Sequence, residues 1–172
     1  MGRKQERLAR VQAQWEITSW EDMETFIGPH AGHFEKTWIK LRQGVAIKGY
    51  ANAFGFCWPA LLFGFAWFFA RKQWAVGALI VILPILFAIL FQGLPGGAMT
   101  GISIAMASFA KSLYLQTSVP KVARIIEDSV SGSERDARLR AAGGISVPGA
   151  IGGGILLALM LASAVYAVMH AA

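Results

Sequence analysis

His30 and His33 stand three residues apart, with Glu35 close behind them and Glu24 shortly before. Imidazoles and carboxylates in that proximity can ligate a divalent metal or pass a proton. A His-x-x-His pair with no cysteine cluster and no H-E-x-x-H arrangement is more often two surface imidazoles, so His30 and His33 are weak metal candidates. Lys111 is the other chemically distinctive side chain, because it falls inside an apolar stretch. Entering the membrane near Gly96, it would lie roughly 22 Å along a path of about 30 Å, within reach of the far headgroups through its long stem. Its functional alternative is to line a polar path. Ser103 and Ser108 stand near no recognisable base, and intramembrane serines usually bond back to their own helix. The runs Gly96-Gly97 and Gly152-Gly153-Gly154 neither follow a strand pattern nor precede a Lys-Ser/Thr pair, which rules out a phosphate loop. Cys57 is the single cysteine, so an intrachain disulfide is impossible. No catalytic constellation and no cofactor site emerge; the enzyme question leans towards no.

The elements that must position these residues are helical and largely apolar. Hydrophobic residues make up 55% of the 172-residue chain and charged residues 15%, with a mean hydropathy of +0.50. This balance points to a bilayer rather than water as the main solvent. The net charge of +6 then reads as membrane-facing basic segments, and no nucleic-acid partner is expected. The first apolar stretch begins after some fifty polar and amphipathic residues, unlike a cleavable signal. Glu6 occupies the position where a myristoylation signal needs Ser or Thr.

Residues 1–50 read as amphipathic helices outside the hydrocarbon. From Gly2 to Trp15, the apolar Leu8, Val11 and Trp15 recur at helical spacing opposite Arg3, Lys4, Arg7 and Arg10, as on a helix lying on an anionic surface. A solvated tail is the alternative. Ser19 and Asp22 form a capping-box start for a helix carrying Trp20, Met23 and Phe26, ended by Gly28-Pro29. Phe34, Trp38 and Leu41 share one face of a third helix that Gly44 is expected to end.

Four apolar segments follow, at 51–70, 74–92, 95–116 and 145–172, within a membrane region that covers 51–118 and resumes at 145. Each approaches the length needed to cross about 30 Å. Four crossings would split the sixteen basic residues evenly between the two sides. A first segment that dips in and returns, or lies in the interface, would gather all of them on one side, as the positive-inside rule favours. Asn52, Gly55, Pro59 and Gly64 interrupt that segment, and its aromatic residues resemble an interfacial belt. Three crossings are therefore expected, within an all-α polytopic fold of three to four apolar segments. Residues 119–144 read as a juxtamembrane helix, with Val122, Ile125, Ile126 and Val130 on one stripe, and a flexible, solvent-exposed connector from Ser129 to Gly144. That juxtamembrane stripe and the amino-terminal helices are expected to form a small cytoplasmic cap. Small residues recur every four positions at Gly97, Gly101 and Ala105, and again at Gly149 and Gly153 with Ala158 nearby. Such spacing lets helices approach closely, within one chain in preference to between copies.

Phe26-Ile27-Gly28-Pro29, His33-Phe34 through Trp38 and Leu41, Phe63-Gly64 with Trp67, Arg71-Lys72 and Trp74, and the Leu113-Tyr114 region leading to Ile125 carry a family likeness. Over residues 20–126 the chain resembles the bacterial membrane family catalogued as domain of unknown function 2628. Where that family tends to carry Ala-Asn before its Leu-Tyr pair, this chain has Ala110-Lys111-Ser112, so Lys111 inherits no family role. The resemblance implies a bacterial inner-membrane location and no catalytic assignment. The expected function is that of an interaction or accessory protein, whose basic helices engage the bilayer, its anionic headgroups, a membrane-protein partner or a second copy. A small transporter or channel, lined by Lys111, the Pro84 break and the glycine-rich segments, is the alternative.

Overall fold

The computed structural model describes residues 2–48, 53–90, 97–129 and 131–170. Among these residues every regular element is an α-helix: α1 (Arg3–Ile17), α2 (Trp20–Ile27), α3 (Gly32–Lys48), α4 (Trp58–Phe63), α5 (Phe65–Ala70), α6 (Trp74–Leu90), α7 (Ala98–Asp128), α8 (Gly132–Ala142) and α9 (Val147–His170). The chain divides into two compact units. One contains Met1–Cys57 and Ser108–Gly144, the other Trp58–Ala107 and Ile145–Ala172.

The first unit is built around aromatic residues. Ser19 caps α2 through its hydroxyl, which accepts from the Asp22 amide, while the Asp22 carboxylate accepts from the Ser19 amide, a complete capping box. Gly28 ends the helix as expected, its amide donating to the Glu24 carbonyl. Phe34, Trp38, Leu41 and Val45 line the buried face of α3. Trp15 stacks on Trp38 with ring centroids 4.8 Å apart, and Phe34 meets Tyr114 of α7 at 5.3 Å. Burial of these rings supplies the apolar area that holds four short helices and half of a long one together. Among the described side chains of α1 only Trp15 is buried; Leu8 and Val11 stay more than a third exposed.

Three expectations change here. α3 runs on to Lys48 instead of ending at Gly44, because Val45 continues its buried stripe at helical spacing. No separate juxtamembrane helix begins at Val119: α7 is continuous for 31 residues through Pro120. Proline removes one ladder bond, but Leu115, Val119, Val122 and Ala123 are all buried along one face, and that packing outweighs the local break. Ile125 and Ile126 are only partly buried, and Val130 lies outside the described residues. The flexible connector folds instead as α8 from Gly132 to Ala142. Ser131 caps it, Glu134–Arg138 and Asp136–Arg140 pair at i,i+4, and Leu139 is fully buried.

In the second unit the 51–70 segment is not one helix. Its residues 53–57 belong to the first unit and are not helical, and the rest forms α4 and α5, each about 9 Å long, broken at Gly64, where φ is +51°. Phe65, Ala66, Trp67 and Phe68 are buried, whereas Trp58, Leu62 and Phe63 are exposed. α5 packs against α6 and α9. Along α6, Leu79, Ile82, Leu83, Ile85, Leu86, Ile89 and Leu90 are all exposed, and along α9 so are Ile151, Ile155, Leu159, Leu161 and Val165. One helical stretch among the described residues, Gly132–Ser163, whose apolar part is α9, is long and apolar enough to cross a membrane, and only 11% of its apolar window is buried. α6 continues through Pro84. Residues 91–96, at the end of the expected 74–92 segment and the start of 95–116, lie outside the described residues.

Candidate functional site

In the first unit, the polar residues of note converge where α8 meets α2. The Asp22 carboxylate is buried; one oxygen accepts from the Ser19 hydroxyl at 2.6 Å and the other faces Arg135 Nε at 3.4 Å. Arg135 Nε forms no directed hydrogen bond, so the contact with Asp22 is chiefly electrostatic, shared with Asp136 at 3.8 Å. Behind it the Gly144 amide donates to the Phe26 carbonyl at 2.8 Å. At Gly143 a side chain is impossible without movement, since a Cβ would overlap the Phe26 carbonyl oxygen. A cleft of about 610 Å³ opens beside this junction, bordered by Glu21, Glu24, Phe26, Pro29, Arg140 and Gly144. Its charges are exposed, which suits it to a partner's surface charge better than to enclosed chemistry.

His30 and His33 are both exposed, with ring centroids 6.5 Å apart. No group of three or more His, Cys, Asp or Glu side chains among the described residues is arranged to hold a metal. Lys111 is partly buried in the first unit; its Cβ lies near Gly55, beside the buried Thr37. Gly55 donates its amide to the Ser108 carbonyl at 3.0 Å, so this end of the 51–70 segment is pinned to α7. Further along α7, partial burial holds the Lys121 ammonium below its ordinary pKa.

In the second unit the two small-residue stripes behave differently. A Cβ at Gly149 would overlap the Phe69 carbonyl oxygen, and one at Gly153 would meet the Ala66 Cα at 2.9 Å. α9 therefore runs antiparallel to α5 with backbones in near contact. Ala158 is exposed, as is Ala105, and nothing lies within 4 Å of a Cβ built at Gly97 or Gly101. The Ser146 amide donates to the Ala70 carbonyl at 2.7 Å and its hydroxyl caps Gly149, which sets the start of α9 beside the turn at Arg71 and Lys72.

No family model, curated protein or solved structure matches the chain. The family likeness therefore rests on the residues that carry it.

Two features escaped sequence reasoning. The Asp22–Arg135 contact joins residues more than a hundred positions apart; the alternating acidic and basic residues of 134–140 marked a helix but not its partner. The Arg71-Lys72 turn was legible as a basic pair, but not its backbone: Lys72 has φ +58°, a conformation that favours glycine.

Proposed function

We propose that this chain is a multi-pass helical protein of the bacterial inner membrane, of the kind the family likeness implies. Its role is that of a non-enzymatic interaction or accessory protein, with the first unit facing water and presenting basic helices and the α2/α8 cleft to lipid headgroups or a membrane-protein partner. The observation that carries this reading is the separation of charge. All ten acidic residues and fourteen of the sixteen basic ones belong to the first unit, while the 78 residues of the second hold only Arg71 and Lys72. A unit that exposes so many large aliphatic side chains on α6 and α9 needs an apolar solvent or an apolar partner.

Crossings by α6, by the amino-terminal part of α7 and by α9, with α4 and α5 entering and returning, fit the contacts within each unit. α2 and α8 pack together, so the amino-terminal helices and the former connector share a side. The Ala70–Ser146 hydrogen bond holds the Arg71-Lys72 turn beside the start of α9. On this reading all sixteen basic residues face one side of the bilayer, as the positive-inside rule favours. Cysteine accessibility in intact cells tests this, using Ala13→Cys, Lys72→Cys and Ser133→Cys on a Cys57→Ser background. All three positions should label only from the cytoplasmic side; labelling of Lys72→Cys from outside overturns the re-entrant arrangement.

The competing reading, a small transporter or channel, draws on Pro84 within α6. Solute or ion flux in proteoliposomes of the purified chain would favour it over the accessory role.

A further inference from the structure

We propose that the turn at Arg71 and Lys72 is a binding site for the phosphate of an anionic phospholipid. The inference rests on the membrane reading and names one partner for it. Three independent observations carry it. First, the two residues are the only Asp, Glu, Lys or Arg in their unit, adjacent and of one sign, so the unit's formal charge is concentrated at one point. An anionic leaflet attracts such a point.

Second, the backbone there is one that glycine serves better. α5 ends in a Schellman-type cap: the Gln73 amide donates to the Phe68 carbonyl at 2.8 Å and the Lys72 amide to the Phe69 carbonyl at 3.1 Å. Lys72 occupies the left-handed position of that cap, with φ +58°, the one non-glycine residue with positive φ among the described residues. At this φ the Lys72 side chain carries a Cβ penalty that glycine avoids. Folding alone does not require it, since glycine would satisfy the same hydrogen bonds.

Third, the surroundings suit a headgroup. The Arg71 guanidinium carbon sits 6.0 Å from the centre of the Trp67 ring, and Arg71 is buried, which fixes one cation under the turn. Lys72 is partly exposed beyond it. Trp74, two residues on, stacks on Phe69 at 5.6 Å yet remains 53% exposed. An exposed indole beside a lysine at the end of an apolar helix is the usual furniture of the lipid interface. The phosphate would accept from the Lys72 ammonium, with Arg71 raising the local potential, while Trp74 lies along the glycerol and upper acyl chain.

Lys72→Gly separates this role from folding, because it removes the cation and relaxes the backbone in one step. The purified full-length chain and its variants are titrated with phosphatidylglycerol and phosphatidylcholine by native mass spectrometry. Carbonate-washed vesicles are checked first: release of the wild-type chain would overturn the membrane reading and the site with it. With the chain retained, the wild-type protein should prefer phosphatidylglycerol about fivefold, as expected for one interfacial cation. Lys72→Gly should lose that preference while unfolding at the same or a higher temperature, and Lys72→Arg should keep it. A preference that survives Lys72→Gly, or that is absent from the wild-type chain, overturns the site alone. Displacement of phosphatidylglycerol by inorganic phosphate at constant ionic strength would assign the turn to free phosphate and overturn the lipid assignment.

Discussion

Arg135 of α8 places its Nε 3.4 Å from the buried carboxylate of Asp22, the same carboxylate that closes the capping box of α2. One acidic side chain therefore starts a helix and anchors a second helix that arrives more than a hundred residues later.

Asp22→Ala removes both functions. Loss of the cap costs about 1 kcal/mol, and loss of the partly screened ion pair adds less than that, since the Arg135 side chain is 41% exposed. Near-UV circular dichroism of the detergent-solubilised protein should show unfolding shifted by roughly 1–2 kcal/mol in total. Arg135→Gln alone should have the smaller effect, and the double variant should show coupling; additive losses would mean that the two side chains act separately.

The packed and unpacked glycines of α9 predict opposite outcomes. Gly149→Ala and Gly153→Ala force a Cβ into the α5 backbone and should destabilise the second unit by about 1–3 kcal/mol. Gly152→Ala and Gly154→Ala point into open space and should raise stability by up to about 1 kcal/mol through helix propensity. Thermal melts in one detergent compare all four; equal effects in the two pairs would contradict the α5–α9 packing.

Much of this arrangement is visible in the residues before any coordinates. The Ser19–Asp22 cap, the Phe34, Trp38 and Leu41 face and the break at Gly64 all follow from spacing and backbone chemistry acting within a few residues. What is hidden depends on distant packing. Pro120 looks like a boundary until Val119, Val122 and Ala123 are known to be buried on one face. Residues 129–144 look like a linker because Ser and Gly surround a mostly charged segment whose one large apolar side chain is Leu139; a single buried leucine leaves no periodic signal. For the sites, the basic pair at 71–72 is legible as charge, while its cap geometry is a property of the folded turn.

Trp38 joins the rings of α1 and α2, at 4.8 Å from Trp15 and 6.1 Å from Trp20. Trp38→Ala should cost about 3–5 kcal/mol and release α1. Limited trypsin digestion should then cut after Arg7 and Arg10 many times faster than in the wild-type chain. Unchanged cleavage would show that α1 is held by something other than this stack.

Gly55 and Lys111 make a contrasting pair. A Cβ at Gly55 would fall 2.5 Å from Thr37 Oγ1, so Gly55→Val should destabilise the first unit by about 1–3 kcal/mol. Lys111→Met, at a partly exposed position, should change stability by less than about 0.5 kcal/mol and leave membrane levels unchanged. Flux lost in Lys111→Met proteoliposomes at full protein yield would move the molecule into the transporter class.

Each compact unit is assembled from two separated pieces of chain, and the pieces alternate. No single cut can liberate either unit whole. On the ribosome, α2 emerges long before α8, its partner, has been translated, and the apolar segments 74–92 and 95–116 must leave the exit tunnel in between. The nascent amino-terminal helices thus wait, the Phe34 face incompletely covered, until both of those segments have been made. Completion of the first unit becomes a late event in synthesis, and a chain stalled after α6 would display Phe34, which Tyr114 of α7 meets in the finished fold, to the quality-control machinery.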